Sequence, residues 1–302
     1  MSKIGFVYPG QGAQKVGMGK DFLNLEILEK AKLKTGIDFQ QIIPEENELI
    51  DQTRYTQPAM LLVEMVITDE LIKSGIEPDL AAGLSLGEYG AIYAAGGINF
   101  YDALKAVSVR GKLMEEAVPS GVGTMAAILG LTGEKVENVV NEIEGITVAN
   151  YNTDTQIIVT GQKAMMDEAI TKLKVAGAKI CKELNVSGPF HSPMLIPAGK
   201  KLREALSSVE IFDMKIPYVS NVTAKTVNDK ASVKELLEKQ VSSPVRWSDS
   251  VKLMIEEGVD IFIEIGPSKT LSNMIKKIDK SVKIYNVETR EDLEKLRGEL
   301  NA

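Results

Sequence analysis

The chain has 302 residues, 44% apolar and 25% charged, with a net charge of −7, one cysteine and one histidine. That balance belongs to a globular chain able to form one large domain, or a large one with a smaller insert, and the acidic excess excludes general nucleic-acid binding. Cys181 alone makes neither an intrachain disulfide framework nor a cysteine-based zinc site, and no metal site is expected. No apolar run approaches the span of a bilayer, and Met1-Ser2-Lys3 leads straight into a strand without a signal peptide's apolar stretch. The expectation is a cytoplasmic protein, monomeric, with neither nucleic acid nor membrane as partner.

Ile4–Tyr8 is a short β run ending in Pro9-Gly10-Gln11-Gly12-Ala13-Gln14. The glycines around Gln11 let the backbone turn closely and present an N–H. The loop lacks the Lys-Ser/Thr of a P-loop and the spacing of a dinucleotide fingerprint, which argues against nucleotide binding. Residues 15–75 read as helices with polar links, the clearest periodicity following a helix start at Gln57-Pro58.

Asp79-Leu80-Ala81-Ala82 then enters Gly83-Leu84-Ser85-Leu86-Gly87-Glu88 and a helical run. A Gly-x-Ser-x-Gly between strand and helix reads as a nucleophile elbow. It would raise the Ser85 hydroxyl above the sheet and aim the Leu86 N–H at a developing oxyanion. The bland alternative is a glycine-rich turn with an idle serine.

In the helix predicted over 101–118, Ala103, Val107, Met114 and Ala117 form an apolar stripe, and Arg110 lies on it. A buried guanidinium needs an anionic partner. Such arginines more often find one in an internal carboxylate, and otherwise offer a two-pronged fork to a ligand's carboxylate.

Residues 123–189 follow a βαββαβ order, the ferredoxin-like pattern, and Cys181 reads as a core position of its last strand. The fold class is therefore α/β. An α/β-hydrolase-like catalytic subdomain spans 1–122 and 190–302, with a ferredoxin-like subdomain inserted at 123–189. The chain leaves the insert through Gly188-Pro189-Phe190-His191-Ser192-Pro193, a stiff loop at a subdomain junction. His191 is the only histidine available to act as base for Ser85. No Asp or Glu stands out as a third member, so a dyad is expected, its imidazole oriented by a backbone carbonyl. Helices over 195–206, 234–240 and 249–257, a buried strand at Ile261–Ile265, a last strand at 281–287 and a charged terminal helix complete the reading.

Pro9–Gln14, Gly83–Glu88, Val109-Arg110-Gly111, Ala149-Asn150-Tyr151-Asn152, Gly188–Pro193 and Glu264-Ile265-Gly266-Pro267, in that order, resemble the malonyl-CoA:acyl carrier protein transacylases over essentially the full length. The resemblance implies a ping-pong reaction: malonyl passes from coenzyme A to Ser85 and then to the phosphopantetheine thiol of acyl carrier protein, with no cofactor beyond the thioester substrate. It implies Ser85 and His191 as the dyad, Arg110 as binder of the malonyl carboxylate, and Gln11 and Leu86 as oxyanion donors. The carbonyl of Gln240 orients the histidine, while Asn152 lines the site and Phe190 favours malonyl over branched groups. Leu84 stands where the family usually has histidine, and Pro189 where it usually has alanine. Because the carrier is acidic too, docking calls for a local basic patch, with Lys179–Lys182 and Lys200–Arg203 as candidates. A serine hydrolase, a polyketide-type acyltransferase and a non-catalytic binding protein are the alternatives.

Overall fold

A computed structural model describes residues 2–186 and 188–300. Six strands form the larger sheet: β1 (Lys3–Tyr8), β2 (Leu80–Gly83), β7 (Tyr218–Val219), β8 (Thr226–Val227), β9 (Val259–Ile265) and β10 (Lys283–Val287). Their order is β10-β9-β1-β2-β7-β8, parallel throughout except for the β7–β8 pair. The smaller sheet holds β3 (Gly123–Leu129), β4 (Ile146–Thr153), β5 (Gln156–Gln162) and β6 (Ile180–Glu183), antiparallel in the order β4-β5-β3-β6. With helices Gly133–Val140 and Lys163–Val175 between its strands, this is the βαββαβ arrangement expected.

Parallel strands place their C-terminal ends on one edge, where loops gather into a crevice. Tyr8 pairs with Gly83, so the loop after β1 and the elbow after β2 leave the sheet side by side. The helix Thr53–Lys73 runs through the core, with Met60, Leu61, Leu62 and Val63 fully buried, and Phe100–Glu116 packs beside it. Val136, Val148, Val159 and Leu173 make a separate core under the small sheet.

Several elements differ from expectation. The long helix starts at Thr53, ahead of Pro58, because the Gln52 carbonyl accepts the N–H groups of both Tyr55 and Thr56 at 2.8 Å and closes the first turn there. Pro58 then sits inside the helix, at the cost of one intrahelical bond. Cys181 is only half-buried, since β6 is an edge strand whose Ile180, Lys182 and Glu183 are exposed. A helix at Thr270–Ile278 lies between β9 and β10, where the sequence reading set out no element.

Candidate active site

The elbow is a backbone construction. Ser85 holds φ 56°, a left-handed conformation that a serine adopts only when its surroundings impose it. The two flanking glycines are obligatory. A Cβ on Gly83 would lie 1.9 Å from the Gly87 carbonyl carbon, and one on Gly87 would lie 2.1 Å from the Tyr8 carbonyl oxygen. Asn221, fully buried beyond the end of β7, clamps the turn: its Oδ1 accepts the Ser85 N–H at 2.7 Å and its Nδ2 donates to the Gly83 carbonyl at 2.6 Å.

The second loop brings in His191, 4% exposed and also left-handed at φ 59°. Ser192 Oγ donates to the Pro189 carbonyl at 2.7 Å, and Pro189 packs against Gly123 at the start of β3. His191 Nε2 lies 2.8 Å from Ser85 Oγ, and its Nδ1 lies 2.9 Å from the backbone carbonyl of Gln240. A carbonyl only accepts, so Nδ1 carries the proton and Nε2 is free to accept from the serine. Burial and then the nearby Arg110 charge lower the imidazole to about 4, so it stands neutral and able to act as a base.

Arg110 is fully buried and reaches the same serine. Its Nη2 donates to Ser85 Oγ at 3.1 Å and to Gln240 Oε1 at 2.9 Å, and its Nη1 donates to Gln57 Oε1 at 2.6 Å. Nε has no partner, and among the described residues no carboxylate stands within ion-pair distance. The internal ion pair that such arginines usually form is absent here. The guanidinium is held by neutral acceptors, a state costly in isolation but open to an arriving anion.

Above Ser85 lies a cavity of about 230 Å³ with Gln11, Leu84, His191, Phe190, Asn152 and Asn150 on its wall. Met125 and Ile158 of the small sheet, Met114, and Leu271 and Met274 of the Thr270–Ile278 helix give it an apolar lining. Glu264 ties that helix down, accepting the Leu271 and Ser272 N–H groups at 3.0 and 2.8 Å and the Ser272 hydroxyl at 2.6 Å. The backbone N–H groups of Gln11 and Leu86 have no acceptor among the described residues. Asn152, 5% exposed, leaves its Oδ1 unpartnered. Leu84 contributes carbon where the family usually has histidine, packing against a core that includes Val7, Val219, Trp247 and Phe262. The basic clusters Lys179–Lys182 and Lys200–Arg203 lie outside the cavity wall.

Residues the sequence reading did not single out complete the network. Gln57 joins Arg110 to Gln11, its Nε2 donating to Gln11 Oε1 at 3.3 Å. The Gln240 side chain, beyond its carbonyl, donates to the Ser85 carbonyl at 2.7 Å and to Glu88 Oε2 at 2.6 Å. Burial raises that Glu88 carboxyl to about 7 against the pull of the Gln240 bond. Asn221 carried one signal, its place just past a strand end; Gln57 and Gln240 sit in helices whose periodicity marks faces, not partners.

Comparison with known proteins fits this geometry. The family described as acyl transferase domain matches residues 5–297. A Bacillus subtilis protein named malonyl CoA-acyl carrier protein transacylase is 41% identical over 304 residues, covering 97% of this chain and 96% of its own. The structure of a protein of that name from Clostridium perfringens superimposes with TM-score 0.94 at 40% identity, covering 99% of this chain and 98% of its own. A malonyl-transacylase solved in complex with its type II PKS acyl-carrier protein gives TM-score 0.94 at 33% identity, covering 99% of this chain and 100% of its own.

Proposed function

The chain belongs to the acyl transferase family, and from that premise and the geometry around Ser85 we propose that it moves a malonyl group from malonyl-CoA to the phosphopantetheine thiol of acyl carrier protein, supplying fatty acid synthesis. The observation that carries this reading is the sharing of one oxygen: Ser85 Oγ lies within hydrogen-bond reach of His191 Nε2 at 2.8 Å and of Arg110 Nη2 at 3.1 Å. A base and an anion-binding fork converge on one nucleophile, as transfer of an acyl group ending in a free carboxylate requires.

In the first half-reaction Ser85 Oγ attacks the thioester carbonyl while His191 Nε2 takes its proton. The N–H groups of Gln11 and Leu86 receive the oxyanion, a device worth about 3–4 kcal/mol for each donor. Collapse breaks the carbon–sulfur bond, and His191 returns the proton to the departing coenzyme A thiolate. In the second half the carrier's thiol gives its proton to His191 and attacks the Ser85 ester. The tetrahedral adduct collapses with cleavage of the carbon–Oγ bond, and His191 returns the proton to Ser85 Oγ. Arg110 turns its prongs from Ser85 and Gln57 to the malonyl carboxylate, while Asn152 and Phe190 bound the acyl pocket. So written, the transfer draws on protein groups alone, with the coenzyme A thioester as substrate.

The same reading carries a cytoplasmic monomer, to be checked by light scattering on a sizing column; among the described residues no helix is long and apolar enough to cross a membrane. The main test is intact-protein mass spectrometry after incubation with malonyl-CoA or acetyl-CoA. A malonyl adduct that is lost in Ser85→Ala and loses its preference over acetyl in Arg110→Ala is the expected result. Free coenzyme A released steadily without adduct, and without acceptor, would mark a hydrolase instead.

A further inference from the structure

Glu88 is fully buried one turn beyond the nucleophile, in the helix Gly87–Ala94, and is absent from the wall of the substrate cavity. Its Oε2 accepts from Gln240 Nε2 at 2.6 Å. At the other end of the same amide, Oε1 accepts from Arg110 Nη2 at 2.9 Å, and the Gln240 backbone carbonyl meets His191 Nδ1 at 2.9 Å. We propose that Glu88 is a positioning residue of the transfer site, which fixes Gln240 between Arg110 and Ser85 and balances the Arg110 charge without occupying its fork; this rests on the transfer reading above.

The argument is one of donors and acceptors. A guanidinium only donates, and Glu88, ionised above its pKa of about 7, only accepts, so there an amide between them has one allowed orientation. A flipped Gln240 would set N–H against N–H at Arg110 and oxygen against oxygen at Glu88. With the amide fixed, its Nε2 also holds the Ser85 carbonyl at 2.7 Å, tying the elbow to the residue against which the histidine rests. The second half of the argument is electrostatic. Arg110 and Glu88 are both fully buried with no direct ion pair, one neutral amide apart. A carboxylate in direct contact would fill the fork and exclude the substrate's own. One placed behind an amide offsets the buried cation while the prongs meet only neutral groups, which an arriving carboxylate can displace.

The test is single-turnover acylation of Ser85 by malonyl-CoA at about pH 8, where Glu88 is ionised, followed by rapid quench and intact mass, for Glu88→Gln, Glu88→Ala and Gln240→Glu. In both Glu88 variants the maximal acylation rate should fall tenfold or more with no rise in the half-saturating malonyl-CoA concentration, since the fork keeps its charge and its place. In Gln240→Glu, where the carboxylate meets Arg110 directly, half-saturation should rise at least tenfold, and this arm stands even if the Glu88 variants do not fold. A Glu88→Gln enzyme with wild-type rate, or one whose half-saturation rises while its rate holds, overturns the proposal, as does a Gln240→Glu enzyme with wild-type half-saturation. Absence of an adduct in the wild type defeats the transfer reading itself and this proposal with it, whereas an adduct in the wild type with unaltered Glu88 variants defeats this proposal alone.

Discussion

Ser85 and His191 meet at 2.8 Å while both hold left-handed backbones, at φ 56° and 59°, so the contact is made by two residues that each carry conformational strain. Such strain costs on the order of 1–3 kcal/mol per residue. Ser85→Ala keeps it and Ser85→Gly releases it. Although glycine ordinarily weakens a fold, Ser85→Gly should therefore be the more stable of the two inactive variants, by about 1 kcal/mol. Paired thermal melts check this, and a Ser85→Gly that melts below Ser85→Ala would contradict it.

Arg110 should not be replaceable by lysine. Three N–H groups of its fork reach Gln57, Gln240 and Ser85 from fixed directions, and a point-charged ammonium cannot reproduce that geometry. Arg110→Lys should raise KM for malonyl-CoA about tenfold or more, and Arg110→Ala should further erase discrimination against acetyl-CoA. Steady-state transfer to carrier protein with each thioester decides it.

Asn221→Ala strips partners from two backbone groups at once, the half-buried Ser85 N–H and the buried Gly83 carbonyl. Each orphaned group costs about 1–3 kcal/mol. Denaturant unfolding should show that loss together with a fall in kcat, because the strained turn loses its clamp. An Asn221→Ala enzyme with intact stability would show that the turn holds by its glycines alone.

Stability should respond to pH with opposite signs at two neighbouring residues. His191 is lowered from 6.5 to about 4, so acidification from 6.5 to 4 protonates it only in the unfolded chain and drains stability. Glu88 is raised from 4.5 to about 7, so over pH 7 to 4.5 the folded state binds the extra proton and acidification adds stability. Removing His191 should make the melting temperature climb relative to wild type as pH falls from 6.5, and Glu88→Gln should make it drop. Melting curves at half-unit steps read both, and parallel curves for the three proteins would refute the assignment.

Much of the site was legible because it is built from turns. Ser85 sits between glycines forced by contact, and His191 between prolines that fix a loop, and such residues announce themselves in sequence. Arg110 was visible as a charge on an apolar stripe, but whether it faced a carboxylate could not be read from its own helix. The partners of Gln57 and Glu88 were silent, and Asn221 showed only its place past a strand end, because a buried polar side chain is chosen by a partner up to 152 positions away, as for Glu88 and Gln240. The Thr270–Ile278 helix was legible in principle, because Leu271, Met274, Ile275 and Ile278 recur at helical spacing.

The cavity above Ser85 takes its wall from both parts of the chain, with Ser85 beside the six-stranded sheet and Met125, Asn152 and Ile158 on the four-stranded one. On the proposed reading, reactivity and fit are thus encoded in different stretches. Changing a methionine or isoleucine on the small sheet should alter what the cavity admits while the Ser85–His191 contact stays as it is. Exchange of residues 123–183 among relatives should accordingly shift which acyl groups are accepted.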